Sequence, residues 1–331
     1  MAEAPRFTPV HLITGFLGSG KTTLLRRWLA SPDLADTAVL INEFGEVGLD
    51  HELLERVDAD TVLLSSGCLC CTVRGELADA IKSLHGRRER GVIPTYRRLV
   101  IESSGLADPL PILTTIAAEP VLRHHYRVGQ IVTTVDAVNG AGQLDRQPES
   151  RKQAAVADRL VVTKTDIAEA GPELLDRLRA INPAAPIRFA ADASLTPDDL
   201  IGADWQDPAR ARREFGHWFQ AEAVEGPHGD DLSAISLTLD RPVDWTAFGL
   251  WLSMLLHRHG EAVLRVKGIL AVEGESAPVV VQAVQQLVHA PQHLTRWPSA
   301  DRRSRLVFIV KGIDAAVLRR SFAAFVGGFV A

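Results

Sequence analysis

The chain has 331 residues, of which 46% are hydrophobic, and its formal net charge is −5 at pH 7. This length predicts two domains, and the mildly acidic balance argues against a nucleic-acid or anionic-membrane surface. No segment has the composition of a signal peptide, and no apolar run reaches the roughly 18 residues of a membrane span. We therefore expect a cytoplasmic protein with no nucleic-acid and no membrane partner.

The first motif follows a short apolar strand, Val10 to Ile13, and precedes a helical pattern from Thr22 to Ala30. It has the full spacing of a phosphate-binding P-loop. Its glycines let successive backbone N–H groups turn towards a phosphate, and the start of the helix adds positive potential. Lys21 is expected on the β- and γ-phosphates, and Thr22 as a ligand of magnesium. The predicted nucleotide-binding residues of this motif are Gly15, Gly18, Ser19, Gly20, Lys21, Thr22 and Thr23.

Apolar strands alternate with helical segments along residues 1–195. This pattern predicts a P-loop α/β domain with a doubly wound, mostly parallel sheet, whose ligands collect at the carboxyl ends of the strands. A helix is predicted from Gly75 to Leu84, followed by a solvated loop over residues 87–90. The predicted strands after the first are Thr37–Ile41, Thr61–Leu64, Arg98–Glu102, Gln130–Val135, Arg159–Thr163 and Ile187–Ala190.

Two further motifs stand at strand ends. Glu102 occupies a position where an acidic residue of a P-loop enzyme handles magnesium or the attacking water. Thr163-Lys164-Thr165-Asp166 resembles the guanine-reading loop of GTPases, which usually begins with Asn. The Lys164 stem can lie along a purine, and the Asp166 carboxylate can accept two hydrogens that guanine has and adenine lacks. Because Thr163 replaces the usual Asn, the strictness of guanine over adenine stays open.

All three cysteines lie in one short stretch, as Cys68, Cys70 and Cys71. Clustered thiols with no distant partner indicate metal or redox chemistry instead of a disulfide framework. Thiolates select soft or borderline metals such as zinc and copper(I), and they can bind cobalt. Three thiolates leave one coordination position open, which suits a metal carrier. Glu46, in an acidic loop, is a further candidate ligand; buried thiols used for packing and a solvated acidic loop are the alternatives.

The composition changes after a polar connector, residues 196–230. Residues 231–331 then combine amphipathic helices with alternating strands and predict a smaller α+β domain. Its predicted helices are Trp245–His257 and Ala315–Val326, and its strands Ser233–Leu239, Ala262–Val272, Ala277–Val284 and Arg305–Val310.

Taken together, these motifs resemble the CobW-like metallochaperone GTPases, relatives of the nickel-delivery GTPases UreG and HypB. The resemblance covers nearly the whole chain, and a Cys-x-Cys-Cys segment combined with a P-loop is its most specific part. The matching segments of the first domain are Gly15-Phe-Leu-Gly-Ser-Gly-Lys-Thr22, Asn42-Glu-Phe-Gly-Glu46, Gly67-Cys-Leu-Cys-Cys71, Glu102-Ser-Ser-Gly-Leu-Ala-Asp-Pro109 and Thr163-Lys-Thr-Asp166. Those of the second are Arg241-Pro-Val-Asp-Trp245, Arg265-Val-Lys-Gly268 and Leu306-Val-Phe-Ile-Val-Lys-Gly312.

This resemblance implies nucleotide-gated handling of zinc or cobalt, with magnesium-dependent GTP hydrolysis coupled to metal transfer into a client metalloprotein. It also implies roles for single residues: Glu102 near the hydrolytic water, Gly105 as the sensor of the γ-phosphate, the three cysteines on the metal, and Lys164 with Asp166 on guanine. Lys21, Thr22 and Glu102 would be the catalytic residues.

Two other interpretations remain open. One is an activator of a single metalloenzyme, for example of the nitrile hydratase or cobalamin-synthesis type. The other is a P-loop NTPase that is not a chaperone, such as a small-molecule kinase. The sequence does not select the client, the physiological metal or the oligomeric state, and a homodimer is among the options.

Overall fold

A computed structural model describes residues 7–41, 63–65, 73–202 and 232–327. The chain divides into two compact units: the first takes in most residues up to 203, and the second takes in those from 204 onwards together with residues 154–156 and 175–186. The predicted fold class is confirmed, with a parallel α/β domain and a smaller α+β domain. Within the described ranges, every helix is too short or too polar to cross a bilayer.

Among the described residues of the first domain, seven strands form one sheet in which every neighbouring pair is parallel. The apolar runs of inner strands such as Thr8–Gly15 and Arg159–Thr163 are buried nearly throughout, as expected for strands covered by helices. The strands are β1 (Thr8–Gly15), β2 (Thr37–Ile41), β3 (Leu63–Ser65), β4 (Arg98–Glu102), β5 (Tyr126–Asp136), β6 (Arg159–Thr163) and β7 (Ile187–Phe189). Their order across the sheet is β3-β2-β4-β1-β5-β6-β7, which places the strand before the P-loop at the centre.

Helices connect these strands, and their starts follow local capping rules. Asp108 caps the helix that begins at Pro109 by accepting a hydrogen bond from Leu110 N, and Thr196 forms a capping box with Asp199. The helices are α1 (Lys21–Leu29), α2 (Val73–Glu89), α3 (Pro109–Ala118), α4 (Leu122–His125), α5 (Gly140–Arg146), α6 (Pro148–Val156), α7 (Pro172–Ile181) and α8 (Pro197–Ile201), and a short 3₁₀ turn covers Pro32–Leu34.

Helix α2 runs further than the sequence predicts, because the residues assigned to a solvated loop have packing partners. The helix continues to Glu89. The guanidinium of Arg88 lies 4.7 Å from the ring centre of Tyr96, and the ring of His85 packs edge-on against Tyr126 at 5.8 Å. The prediction of a loop over residues 87–89 was therefore wrong, since a charged sequence gave no sign of these aromatic contacts.

Three strands end level with one another at the carboxyl edge of the sheet. Glu102 of β4 pairs with Ile13 of β1 on one side and with Ile41 of β2 on the other, and Ile41 pairs in turn with Ser65 of β3. The strand that leads towards the cysteines therefore ends at the level of Glu102. Adjacent strands are about 4.8 Å apart, so Ser65 lies two strand spacings, about 10 Å, from Glu102.

In the residues of the second domain that the structure describes, an antiparallel sheet is accompanied by two helices. In its main hydrophobic cluster, Trp251 packs edge-on against Phe322 at 4.8 Å and Phe308 at 5.8 Å, and the domain also buries polar side chains such as Arg265 and Lys267. The sheet order is β11-β10-β9-β13-β8, and β12 also pairs with β10. The elements are β8 (Leu232–Leu239), α9 (Trp245–His259), β9 (Val263–Leu270), β10 (Val279–Val284), β11 (Leu287–Val288), β12 (Gln292–His293), β13 (Ser304–Lys311) and α10 (Ala315–Val326).

Candidate functional site: a phosphate-binding loop at the centre of the parallel sheet

The loop between β1 and α1 depends on glycine at the positions that the motif predicts. Gly15, Gly18 and Gly20 all have positive φ angles, of 139°, 70° and 85°, which favour glycine. A Cβ on Gly15 would lie 2.4 Å from the carbonyl oxygen of Thr134 in β5. Gly20 is the N-cap of α1, so the helix begins directly after the loop with its positive end at the same edge of the sheet. The backbone therefore has the form that a phosphate site needs.

The side chains of Lys21 and Ser19 brace this loop. Lys21 is buried, and its Nζ donates to the carbonyl of Gly15 at 2.9 Å and to that of Phe16 at 3.3 Å. The hydroxyl of Ser19 is 2.6 Å from the hydroxyl of Thr134. The ammonium group thus lies across the glycine loop, where a phosphate could take the place of the two carbonyl oxygens.

Thr22 and Glu102 meet at the start of α1. The Thr22 hydroxyl donates to Oε1 of Glu102 at 2.6 Å, and Glu102 is buried at the end of β4. A hydroxyl and a carboxylate are the hard oxygen ligands that magnesium prefers, so this pair fits the ion that the sequence analysis expects. Thr23, next along the helix, is exposed.

The segment from Ser103 to Asp108 follows β4 and lies against the P-loop. Ser103 extends the strand pairing through its N–H, which donates to the carbonyl of Ile13 at 2.9 Å. Gly105 is buried, and a Cβ built on it would lie 2.6 Å from the backbone nitrogen of Leu17. Only glycine allows such a close approach of two backbones, so the position implied for γ-phosphate sensing is adjacent to the loop that would hold that phosphate.

The loop after β6 is joined to the P-loop by Thr163. Its hydroxyl donates to the carbonyl of Ser19 at 2.7 Å and contacts the carbonyl of Val135 at 3.2 Å. The threonine therefore braces the loop after β6 against the P-loop. The next residue, Lys164, has a φ of 57°, which is uncommon for a side chain with a Cβ, and Asp166 is exposed two residues later.

Asp136 is a residue of this site that the sequence analysis missed. It ends β5, it is buried, and its Oδ2 accepts a hydrogen bond from Lys164 Nζ at 2.6 Å. Burial alone would raise the pKa of Asp136, but hydrogen bonds from Lys164, from the Asn139 side chain and from the amides of Val138 and Asn139 hold it below its ordinary value. An acidic residue at the carboxyl end of a buried strand was the signal that could have indicated it.

The predicted metal ligands Cys68, Cys70, Cys71 and Glu46 lie outside the described residues. In the part of the chain that is described, no group of three or more His, Cys, Asp or Glu side chains could hold a metal ion. The nearest described residue before the cysteines is Ser65, whose position level with Glu102 is given above.

These features define a P-loop nucleotide-binding protein of the parallel α/β class. Residues 9–189 match the family model described as CobW/HypB/UreG, nucleotide-binding domain, and residues 232–326 match the model described as the cobalamin synthesis protein cobW C-terminal domain. The chain therefore belongs to the CobW/HypB/UreG family, and the resemblance stated from the sequence is confirmed.

Several relatives have names that describe what they do. The chain is 33% identical over 317 residues to the zinc chaperone YjiA of Escherichia coli, covering 95% of this chain and 97% of that protein. It is 36% identical over 166 residues to the zinc-regulated GTPase metalloprotein activator 1 of Schizosaccharomyces pombe, covering 48% of this chain and 39% of that protein. The crystal structure of the Zn(II)-bound YjiA GTPase from E. coli aligns with a TM-score of 0.68 at 28% identity, over 98% of this chain and 99% of that one.

Proposed function

We propose that this protein is a GTP-hydrolysing metallochaperone that binds zinc or cobalt through Cys68, Cys70 and Cys71 and transfers the metal to a client protein. The observation that carries the proposal is the common level at which Ser65, Ile41 and Glu102 end their strands. It brings the chain to within three residues of Cys68 at the edge where the P-loop lies. The names of the relatives support a GTPase with zinc as its cargo.

Phosphate binding follows from the glycine loop and its lysine. Lys21 would exchange the carbonyls of Gly15 and Phe16 for the β- and γ-phosphates, and the N-terminus of α1 would stabilise the same anion. Gly105, packed against Leu17, would contact the γ-phosphate. Because GDP lacks that phosphate, the segment from Ser103 to Asp108 would contribute, together with Lys21, to distinguishing the two nucleotides.

Hydrolysis would use Thr22 and Glu102. Magnesium, when bound, neutralises charge on the transferred phosphoryl group. Thr22 and Glu102 would hold it through the oxygen atoms that now hydrogen-bond each other. Glu102 pairs with Ile13 in the last register position between β4 and β1 and lies three residues before Gly105, so its carboxylate would be placed to orient the attacking water.

Guanine recognition would fall to Lys164 and Asp166. The Lys164 ammonium is fixed by the buried carboxylate of Asp136, which leaves its stem at the end of β6 beside the P-loop. Asp166 is exposed and can accept the N1 and N2 hydrogens of guanine. Thr163 ties this loop to Ser19, so base and phosphate sites would share one backbone connection.

Coupling between nucleotide and metal follows from distance. Three extended residues reach about 10 Å, so the chain between Ser65 and Cys68 can span the two strand spacings that separate Ser65 from Glu102. If loss of the γ-phosphate relaxes the segment from Ser103 to Asp108, a metal site held within reach of that edge would relax with it. By linkage, the metal must then change nucleotide affinity by the factor with which nucleotide changes metal affinity.

A metal titration in three nucleotide states tests the proposal. Zinc, and separately cobalt, would be titrated into the full chain with magnesium and a non-hydrolysable GTP analogue, with GDP, and without nucleotide. We expect at least about fivefold different metal affinity between the GTP-analogue and GDP states, the lower end of typical allosteric coupling. Cys70→Ser should abolish the thiolate-to-cobalt charge-transfer band. Equal affinities in all three states would contradict the coupling, and an unchanged cobalt spectrum in Cys70→Ser would contradict the cysteine site.

An activator of one metalloenzyme is the closest variant of this proposal. The name of the S. pombe relative favours it, although the match covers only about half of the present chain. Such an activator would hydrolyse GTP slowly alone and faster with its client present. A kinase without chaperone function would instead transfer phosphate to an added small molecule and show no effect of metal on turnover.

A further inference from the structure

A buried glutamine on α6 holds the segment that would sense the γ-phosphate. Nε2 of Gln153 donates to the carbonyl oxygens of Gly105 and Ala107, each at 3.1 Å. The residue is only 1% exposed. These bonds join the segment after β4 to a helix residue that is 48 positions after Gly105 and 46 after Ala107.

The orientation of this amide is fixed by its surroundings. Turning it over would place an oxygen against two carbonyl oxygens, so the nitrogen must face the segment. Its Oε1 is buried and has no hydrogen-bond partner among the described residues. A buried acceptor without a partner costs free energy, so an apolar residue would serve mere packing better. The two donated bonds therefore explain why an amide is present.

The helix that carries Gln153 is itself anchored to the sheet. The hydroxyl of Thr133 in β5 donates to the main-chain carbonyl of Gln153 at 2.9 Å. The preceding residue, Lys152, contacts the Asp108 carboxylate at 2.6 Å. Lys152 and Gln153 of α6 thus contact three groups of one segment: the carbonyls of Gly105 and Ala107 and the carboxylate of Asp108. The helix that carries them is itself bonded to β5, the strand beside β1.

Gly105 is restrained on both of its peptide groups as a result. The carbonyl of Ser104, in the peptide before it, accepts from Ala107 N at 3.1 Å and from the Ser103 hydroxyl at 3.3 Å. The carbonyl of Gly105, in the peptide after it, accepts from Gln153. Hydrogen bonds therefore restrain both φ and ψ of Gly105. Any side chain at this position would prevent its close approach to Leu17.

We propose that Gln153 is a positioning residue that holds Gly105 in the arrangement required for the γ-phosphate, and that it thereby sets the preference of the protein for GTP over GDP. This inference rests on the GTPase function proposed above. Gln153 acts through the main chain of the segment and does not touch the nucleotide. Preorganisation of this kind favours the ligand whose contacts need the ordered segment, which is GTP and not GDP.

The test compares nucleotide affinities of Gln153→Met with those of a matched control. Methionine keeps the length of the side chain and removes both donated bonds. We expect about tenfold weaker binding of a non-hydrolysable GTP analogue, the size of effect that two hydrogen bonds of typical net strength allow, with GDP affinity within about twofold of wild type. The catalytic rate at saturating GTP should fall as well.

Asn182→Leu is the control, because Asn182 is an equally buried amide that also donates to two carbonyls. Its Nδ2 bonds Ala154 O at 3.0 Å and Ala155 O at 3.1 Å, on the same helix as Gln153 but away from the segment. It should lower stability without changing the ratio of GTP-analogue to GDP affinity. An unchanged or increased ratio in Gln153→Met would overturn the inference, and so would an equal drop in the control.

Hydrogen exchange separates failure of this inference from failure of the proposed function. In the nucleotide-free protein, amides of Ser103 to Asp108 should exchange faster in Gln153→Met than in wild type or Asn182→Leu. Unchanged exchange would contradict the positioning role of Gln153, whether or not the protein hydrolyses GTP. A wild-type protein that does not bind GTP would instead refute the proposed function alone. Should Gln153→Met not fold, Lys152→Met removes the contact to Asp108 and should lower the same ratio about threefold; no change would overturn the inference.

Discussion

The carboxyl edge of the parallel sheet and the core of the second domain are held together by different kinds of contact. At the sheet edge, buried polar atoms are joined in pairs: Lys21 to Gly15, Thr22 to Glu102, Thr163 to Ser19. In the hydrophobic cluster of the second domain that contains Trp251, aromatic and aliphatic side chains meet. Apolar packing supplies stability in proportion to buried area, whereas paired polar groups contribute little net stability but fix positions. We therefore expect substitutions at the edge to change ligand binding, and those in the second core to change stability.

The largest effect on stability should come from Trp251→Ala. This side chain is 2% exposed and contacts both Phe308 and Phe322, so its removal leaves a cavity in the centre of the second core. We expect the free energy of unfolding of that domain to fall by about 3–5 kcal/mol. Urea unfolding monitored by tryptophan fluorescence measures this. A loss below about 1 kcal/mol would contradict the assignment of this core to apolar packing.

Lys21→Ala should produce the opposite pattern. We expect GTP hydrolysis to fall at least about 100-fold, since the transferred phosphoryl loses its positively charged partner. The urea midpoint should change little, because the carbonyls of Gly15 and Phe16 that accept from the ammonium belong to a loop that glycines already shape. Steady-state phosphate release measures the hydrolysis rate of the variant, and circular dichroism checks that the variant is folded. Near-normal turnover in a folded variant would remove Lys21 from the site.

His11→Gln tests whether a buried polar group away from the sheet edge contributes to stability. His11 accepts a hydrogen bond from Gln130 N at 3.0 Å; burial, followed by the charges of Arg98 and Arg127, lowers its pKa from 6.5 to about 3. Between pH 6.5 and pH 3, His11 is therefore protonated in the unfolded chain but neutral in the folded protein. Stability is full above pH 6.5 and decreases as the pH falls towards 3, by about 2 kcal/mol at pH 5.

Glutamine can keep an acceptor for Gln130 N but does not titrate, so the variant should lose this part of the pH dependence. Urea unfolding of both proteins at pH 7 and pH 5 measures it. If the difference in unfolding free energy between wild type and His11→Gln is the same at the two pH values, His11 is not the group responsible.

Thr163→Val should have the smallest effect, confined to nucleotide binding. Valine has the shape of threonine but cannot donate to Ser19 O, so the loop after β6 loses its connection to the P-loop. We expect about fivefold weaker GTP binding, the size of one hydrogen bond. Thr163→Asn restores a donor and serves as the control. Wild-type affinity in the valine variant, or a loss of equal size in the asparagine variant, would show that the brace is not needed.

The sequence predicted the local features of the fold and missed the contacts between distant residues. The P-loop, β2, β4 and β6 lie where the apolar runs and glycine spacing indicate. Strand β5 begins at Tyr126, four residues before its predicted start, because Arg127 and Gly129 interrupt the apolar pattern while the strand continues to pair with β1. Residues 126–128 are ordered by parallel pairing with β1, and this pairing produces no periodic pattern in the sequence of β5.

The residues of the site that sequence reasoning missed share one property. Asp136 meets Lys164, 28 residues away, and Gln153 meets Gly105, 48 residues away. Neither belongs to a motif with fixed spacing, so only the order of strands in the sheet brings each pair together. A motif can predict a residue whose partners are close to it in sequence, or whose partner is the ligand itself.

The left-handed backbone of Lys164 has a consequence for engineering. A residue with a Cβ at φ 57° costs roughly 1 kcal/mol or more relative to glycine, and the chain accepts that cost where a lysine meets Asp136. Exchange for glycine would relieve the strain and remove the cation together. A substitution at this position that raises thermal stability by removing the unusual backbone angle would therefore lower activity.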